Sequence, residues 1–413
     1  GHEEASGTKY VPTALFNTWS KKDPVINFEK FLIKQKLFDK KILENTRENI
    51  KDEINLAIDA AFDESPIECD MNFELSSVFK THNFNQISHS EEKNNIRFVD
   101  AISQGLRQSL EKFDNLIFMG QDIAEYGGVF KISEGFLDQF GKDRIRNTPI
   151  CESAIVSLAL GLSVRGLKSV VEMQFADFVS SGFNPIVNNL AKIHYRWGQC
   201  ADVVVRMPCG AGVGAGPFHS QTNEAWFTHT PGLKVVYPAF PYDAKGLLIS
   251  SIEDPNPVMF FEHKALYRTC SQDVPEDYYN IPLGKGNFIR RGDDITIITF
   301  GMGVHWALNF LKENDHFSVD LLDLRTLVPL DLESIKETVK KTGKVLILQE
   351  DNNRGGFGSD ISSFISENLF EYLDAPIIKV SSLDTPIPFT TSLEDNYLAK
   401  SRLQDAFTKL ASF

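Results

Sequence analysis

A chain of 413 residues is too long for one ordinary domain, and 42% hydrophobic residues are enough to fill more than one core. Its formal charge of -14 at pH 7 excludes a general affinity for nucleic acid, whose phosphates it would repel. The five scattered cysteines contain no Cys-x-x-Cys, which excludes a disulfide framework and a zinc site and suits a reducing compartment.

Residues 1–80 read as a helical arm. In "KKDPVINFEKFLIKQKLF", Asp23 can cap a helix and Pro24 suits its first position. Ile50, Ile54 and Ile58, with Ala57, Ala61 and Phe62, mark one face of a longer helix that Pro66 stops. Residues 81–96 are polar and read as a linker in which His82 and His89 are expected to be solvated.

From residue 97 to 270 helices and strands alternate. "FVDAISQGLRQSLEKF" predicts an amphipathic helix and "NLIFMG" a buried strand. "TPICESAIVSLALGLSVRG" predicts a helix so apolar all round that it belongs inside the protein. "GLKSVVEMQF", "CADVVVRMP", "GLKVVYPA" and "PVMFFEH" predict further strands, with helices in "GFNPIVNNLAKIHYRW" and "YDAKGLLISSI". After a second linker, 271–293, residues 294–413 repeat the α/β pattern in a smaller domain. Such alternation implies largely parallel sheets covered on both faces. No apolar run is long enough for a membrane span, so neither secretion nor spanning is expected.

Several stretches carry candidate chemistry. Glu152 opens the apolar helix, where the positive end of the helix would favour a carboxylate by about 0.3–1 kcal/mol; an acid kept for catalysis is the alternative. In "CGAGVGAGPFHSQTNEAWF", Gly210, Gly212, Gly214 and Gly216 allow left-handed turns or close approach to a ligand, but no Gly-Lys-Ser/Thr follows. His219 lies just beyond them, in the kind of strand-end loop where open α/β sheets bind ligands; a histidine satisfied in the core is the competing reading. "EMQFADF" brings Gln174, Asp177 and two rings, Phe175 and Phe178, to a strand end. Asp254 and Asn256 in "SIEDPNP" offer oxygens to a cation, or simply make a turn. "EDNNRGGFGSD" fits close packing better than an anion site. No Gly-x-Ser-x-Gly elbow, His-Glu-x-x-His or calcium loop is present.

Taken in order, "GQDIAEYGGVFK", "NTPICESAI", "EMQFADF", "FHSQTNEAWFTHTPGLKVVYP", "SIEDPNPVMFFE", "VDLLDLRTLVPLD" and "LDTPIPF" resemble the β subunit of the E1 component of 2-oxo acid dehydrogenase complexes. The resemblance runs from about Arg97 to the C-terminus. The wording of "QFADF", "FFEHKALYR" and "KKTGKVLI" is closer to the branched-chain (2-oxoisovalerate) members than to pyruvate dehydrogenases. "GHEEASGTKY", "TWSKKDP" and the helices ending at "DESP" are similar to the C-terminal tail of the E1 α subunit, as in fused α–β bacterial enzymes.

The resemblance implies a transketolase-like pyrimidine-binding domain with a parallel sheet and a smaller C-terminal α/β domain. It further implies thiamine diphosphate with Mg2+, oxidative decarboxylation of a 2-oxo acid, and acyl transfer to a lipoyl group on an E2 acyltransferase. Glu152 then matches the glutamate that hydrogen-bonds the aminopyrimidine, in a dry site where one charge-assisted bond counts for more than in water. Ile150, Gln174 and Phe178 match positions lining that ring. His219 matches an active-site histidine near substrate and lipoyl arm, and His2 the histidine of a mobile α-subunit loop whose phosphorylatable serine is Glu3 here. Val203, Ser251, Asp254 and Asn256 fall where some members hold a structural potassium ion.

Two departures stand out. Gln121 occupies a position where several relatives carry an acid, and the Gly-Asp-Gly…Asn motif for magnesium diphosphate is absent from these residues. An α-type diphosphate domain is therefore expected upstream or on another chain, in a homodimer of fused chains or an α2β2-like assembly in the bacterial cytoplasm. Pyruvate dehydrogenase chemistry, a non-catalytic E2-docking scaffold, and another thiamine-diphosphate enzyme of transketolase type are the alternatives.

Overall fold

The computed structural model describes residues 10–413, which divide into two compact units at Met71/Asn72. His2 and Glu3 lie outside the described residues. In the first unit, helices span Thr13–Ser20, Pro24–Lys34 and Lys40–Asp63. Asp23 caps the second helix by accepting the Ile26 amide (2.9 Å), and Asp39 caps the third through Ile42 (2.8 Å). None of the residues in these three helices is buried. The arm has helical signals and capping but no core of its own.

The larger unit contains fourteen strands: β1 (Lys93–Arg97), β2 (Leu116–Gly120), β3 (Ile145–Asn147), β4 (Lys168–Glu172), β5 (Val203–Cys209), β6 (Lys234–Val236), β7 (Val258–His263), β8 (Ser271–Pro275), β9 (Asn287–Arg290), β10 (Ile295–Thr299), β11 (Val319–Asp323), β12 (Thr326–Val328), β13 (Val345–Asn352) and β14 (Ile378–Ser382). Seven of them form one sheet in the order β12-β6-β7-β5-β4-β2-β3, parallel except where β12 joins β6. A second sheet, β14-β13-β10-β11-β9, is parallel apart from its β9 edge. The inner strands read as near-continuous apolar runs because both faces are covered. On one face the helices Phe98–Lys112 and Pro241–Glu253 bury Phe98, Ile102, Leu106, Leu247 and Leu248 against β2, β4 and β7. The other face shares a core with the second sheet, where Phe227, Tyr237 and Phe261 meet Phe300 and Leu322. Each such side chain contributes about 1.5–3 kcal/mol when fully buried.

Both stretches read as linkers are more ordered than their composition suggests. Strand β1 at the end of the first pairs antiparallel with β8 at the start of the second. The Lys80 amide donates to Asn256 Oδ1 (2.7 Å) and the Ile87 amide to Asn280 Oδ1 (2.8 Å). His89 is not simply solvated: its ring meets Tyr242 and Tyr279 edge-on, at 5.7 and 5.3 Å between centroids. In the second stretch the buried Lys245 ammonium donates to the carbonyls of Pro275, Glu276 and Asp277, and burial lowers its pKa to about 8. Polar side chains reaching backbone groups do here what apolar anchors do elsewhere, so hydropathy missed the order.

Two helices also differ from expectation. "GFNPIVNNLAKIHYRW" is not one helix but a π-turn, Pro185–Leu190, followed by a short helix, Ile193–Trp197. The Ala191 amide bonds back to Ile186, a five-residue step that breaks the regular ladder. The helix Glu152–Val164 buries Ile155, Val156 and Ala159, but Leu158 and Val164 are half-exposed. It packs on β4 and β5, on the 3-10 turn Ala176–Gly182 and on the π-turn, and these leave part of its apolar surface uncovered among the described residues.

Candidate active site

Four neighbouring strands, β3, β2, β4 and β5, run parallel, and their C-terminal ends deliver the candidate residues to one edge of the sheet. Gln121 follows β2, Glu152 opens the helix after β3, Gln174 to Phe178 follow β4, and the glycine loop with His219 follows β5. Open α/β sheets place ligand sites at such strand ends.

Glu152 is the first residue of its helix and is 8% exposed. Its Oε1 accepts a hydrogen bond from Gln121 Nε2 at 3.1 Å. A neutral amide thus faces the acid where a second carboxylate would compete with it for a proton. The 3-10 turn Ala176–Gly182 reaches Glu152 closely: a Cβ on Gly182 would stand 3.4 Å from the Glu152 carbonyl oxygen. Asp122, held in the left-handed region at φ +57, accepts from Gln174 Nε2 at 3.3 Å and so ties the β2 and β4 ends together. Asp tolerates that conformation better than most residues.

The rings of Phe175, Phe178 and His219 form a cluster. His219 lies 4.9 Å from Phe175 and 5.4 Å from Phe178, both edge-on, and the two phenyl rings are 5.6 Å apart. His219, Phe175, Phe178 and Gln174 are all half-buried. Ile150, two residues before the acid, is 83% exposed. A buried carboxylate with a single hydrogen bond, an amide, a ring cluster and an uncovered aliphatic side chain suit a flat heteroaromatic ring with a nitrogen to hydrogen-bond. The described residues fit such a group.

The glycine loop takes the left-handed turns its glycines allow, with all four at positive φ from +69 to +94, and three of its amides meet carboxylates of the chain itself. Ala211 N–H donates to Glu350 (2.7 Å), and Gly212 and Gly214 donate to the two oxygens of Glu394 (2.8 and 3.1 Å). Glu350 also bonds His263 Nε2 at 2.7 Å, and Lys264 Nζ donates to the Gly210 carbonyl at 2.8 Å. The glycines permit this packing: a Cβ on Gly210 would strike the His263 ring at 2.0 Å. "EDNNRGGFGSD" likewise serves packing, since Gly358 N–H donates to Gln349 Oε1 at 2.6 Å.

Acids crowd this region. Asp177 Oδ1 accepts the Gln221 amide at 3.2 Å while Oδ2 has no protein partner, and burial raises its pKa. Glu224 is fully buried with neither oxygen bonded within the protein; burial first, then the Asp351 charge, push its pKa far up. Asp351 itself is pushed up to about 7, mainly by burial with Glu350 adding. Beneath the site, Arg206 on β5 is fully buried between Glu172 of β4 (2.6 Å) and Glu262 of β7 (both bonds 2.7 Å).

The potassium expectation fits less well. Asp254 pairs with Lys234 through one oxygen and accepts from Asn256 through the other. Asn256 is committed to the Lys80 backbone. Both side chains are thus occupied within the protein, and the other oxygens of that expectation are main-chain carbonyls near Val203 and Ser251. Among the described residues no group of three or more His, Cys, Asp or Glu is arranged to hold a metal ion.

Gln121 as a donor, Glu224, Lys264, Glu350 and Glu394 were not singled out by motif. Glu350 and Glu394 meet the glycine loop across 139 and 182 residues of chain, so no local pattern points to them.

Comparison with known proteins agrees with this layout. The family model "Transketolase, pyrimidine binding domain" matches residues 94–269, and "Transketolase, C-terminal domain" matches 284–402. A 2-oxoisovalerate dehydrogenase subunit beta from Bacillus subtilis is 42% identical over 322 residues, covering 76% of this chain and 98% of its own length. The mitochondrial 2-oxoisovalerate dehydrogenase subunit beta 2 of Arabidopsis thaliana is also 42% identical, over 78% of this chain and 91% of its own. A pyruvate dehydrogenase E1 component subunit beta from Staphylococcus epidermidis is 40% identical, over 71% and 91%. A solved structure titled as a split-gene transketolase, an inactive beta4 tetramer, aligns with a TM-score of 0.63 at 21% identity, over 77% of this chain and 99% of that one. At that identity it supports the fold alone.

Proposed function

The chain belongs to the family of E1 β subunits of thiamine-diphosphate-dependent 2-oxo acid dehydrogenases, and on that premise we propose that it decarboxylates a branched-chain 2-oxo acid and passes the acyl group to a lipoyl group of an E2 partner. The observation that carries the reading is Glu152: a buried acid at a helix start, held by Gln121, at the same sheet edge as Gln174, Phe178 and His219.

When bound, thiamine diphosphate supplies the nucleophilic thiazolium carbon. The residues of this chain do the rest of what is assigned here. Glu152 would hydrogen-bond an aminopyrimidine ring nitrogen and hold or share the proton at that atom; the dry surroundings would strengthen that bond. Gln121 presents a neutral donor, which keeps Glu152 the only acid of the pair. Phe178, Ile150 and Gln174 would line the ring. His219, braced by Phe175 and Phe178, is assigned by resemblance to meet the substrate and the lipoyl arm, as is His2. The Mg2+ diphosphate half of the site is assigned to an α-type domain, of which the helical arm is proposed as the tail. A potassium ion near Asp254 would rest on carbonyl oxygens.

The branched-chain preference rests on the two 2-oxoisovalerate relatives, and the 40% identical pyruvate dehydrogenase subunit keeps pyruvate as the second reading. The deciding experiment supplies the complete polypeptide with thiamine diphosphate and Mg2+ and follows reduction of an artificial electron acceptor. The 2-oxo acid panel is 3-methyl-2-oxobutanoate, pyruvate and 2-oxoglutarate. We expect the branched-chain acid to give the highest kcat/KM, and Glu152→Ala to lower kcat by about 10²–10⁴-fold with the fold unchanged. Turnover in Glu152→Ala equal to the parent would refute the acid's role, and no turnover with any acid would favour a docking scaffold.

A further inference from the structure

The glycine loop is closed at its base, where the Gly210 amide donates to the Gln221 carbonyl at 3.2 Å. Between those ends it is fastened at three points, all on residues C-terminal to 345. Ala211 is held by Glu350, Gly212 and Gly214 by Glu394, and Gly216 lies so near Phe389 that a Cβ there would stand 2.5 Å from the ring. Successive amides in left-handed conformation make a concavity that binds an anion. Here a carboxylate of the same chain fills it. Glu394 is 2% exposed and uses one oxygen for each of two amides, so the concavity has no room for a ligand anion. Beyond the last fastening point the loop turns, with the His219 amide bonding back to Gly216 at 3.5 Å, and delivers the imidazole to Phe175 and Phe178. Lys264, nearly fully buried beside Glu350 and Glu394, supplies the compensating cation; burial lowers its pKa, and these acids oppose the shift.

We propose that Glu394 is a positioning residue for His219: from the C-terminal domain, its carboxylate holds the glycine loop so that the histidine stands against the Phe175–Phe178 pair. The positioning follows from the hydrogen bonds, whereas its consequence for acyl transfer rests on the function proposed above. A loop held by charge-assisted bonds at two amides loses both in Glu394→Ala, while Glu394→Gln retains one neutral acceptor oxygen.

The test compares the parent, Glu394→Gln and Glu394→Ala as full chains. Diethylpyrocarbonate modification of His219 is measured by peptide mass spectrometry against exposed His316 as internal reference. We expect the relative rate at His219 to rise about tenfold in Glu394→Ala and by less in Glu394→Gln. In the holoenzyme, acylation of lipoyl groups should fall about 10²-fold and decarboxylation read by the artificial acceptor by less. A His219 modification rate equal to the parent in a folded variant overturns the proposal, as does lipoyl acylation that does not fall. If Glu394→Ala does not fold, Glu394→Gln decides by the same two readouts. A parent with no turnover would count against the proposed function, and the labelling rates would still decide the positioning.

Discussion

Replacing Arg206 with Met leaves two carboxylates, Glu172 and Glu262, buried at 3% and 0% exposure with no cation between them. Glu262 keeps only a hydrogen bond from Tyr267 (2.7 Å). Each glutamate must either stay ionised in a dry interior or take up a proton. At pH 7 protonation costs about 3.7 kcal/mol for a carboxylate of ordinary pKa 4.3, so two of them set a ceiling of about 7 kcal/mol. Part is offset because the guanidinium is no longer stripped of water, and removal of one partner from a buried pair costs about 3–5 kcal/mol in practice. Burial already raises the Glu172 pKa with Arg206 present. Without the cation, burial disfavours the ionised form of both carboxylates, so the deficit is smallest near pH 4 and grows as pH rises. Between pH 5 and pH 7 it should grow by up to about 5 kcal/mol. The assay is urea and thermal denaturation of parent and Arg206→Met at pH 5, 6 and 7, followed by tryptophan fluorescence and far-UV circular dichroism. A deficit below about 1 kcal/mol at pH 7, or one that does not change with pH, would refute this account of the triad.

Asp351, with its pKa raised to about 7 chiefly by burial, stabilises the fold fully below its ordinary 3.8 and loses that contribution as pH rises through about 7. The parent Tm should therefore fall more steeply from pH 5 to pH 8 than that of Asp351→Asn, and parallel curves would contradict the assignment. Gly210→Ala places a methyl 2.0 Å from His263 Nε2 at a φ of +94, and should cost about 2–5 kcal/mol from strain and overpacking. A Tm within 1–2 °C of the parent, well under the shift expected from such a cost, would show that the loop can move away from His263.

Much of the molecule was legible in the linear chain because the signals are local. Strands such as "VMFFEH" announce burial on both faces, Asp23 and Pro24 open a helix through contacts three residues away, and a short polar run marks a turn. The candidate site was legible as a set of residues at strand ends, since the C-terminal edge of a parallel sheet follows from the alternation of elements. Apart from the local π-turn at Pro185–Leu190, what the linear chain misjudged involves partners far apart in it. His89 read as solvated because the tyrosines that flank it lie more than 150 positions later. The four glycines left close approach to a ligand open beside left-handed turns because the carboxylates that meet their loop lie in another domain.

The sequence by itself determined the order of elements, which depends on residue type and near-neighbour spacing carried in one dimension. The ordered motifs it shares with a known family pointed to that family and, by resemblance, to the acid at the helix start. Only the tertiary structure decided how those residues are held. Gln121 faces Glu152 because β2 and β3 are adjacent; Arg206 is shared by Glu172 and Glu262 because β5 lies between β4 and β7; His219 stands on a loop that Glu394 fastens from the far end of the chain. Hydrogen bonds and ion pairs depend on distance in space, and folding brings together groups whose separation along the chain carries no sign of it.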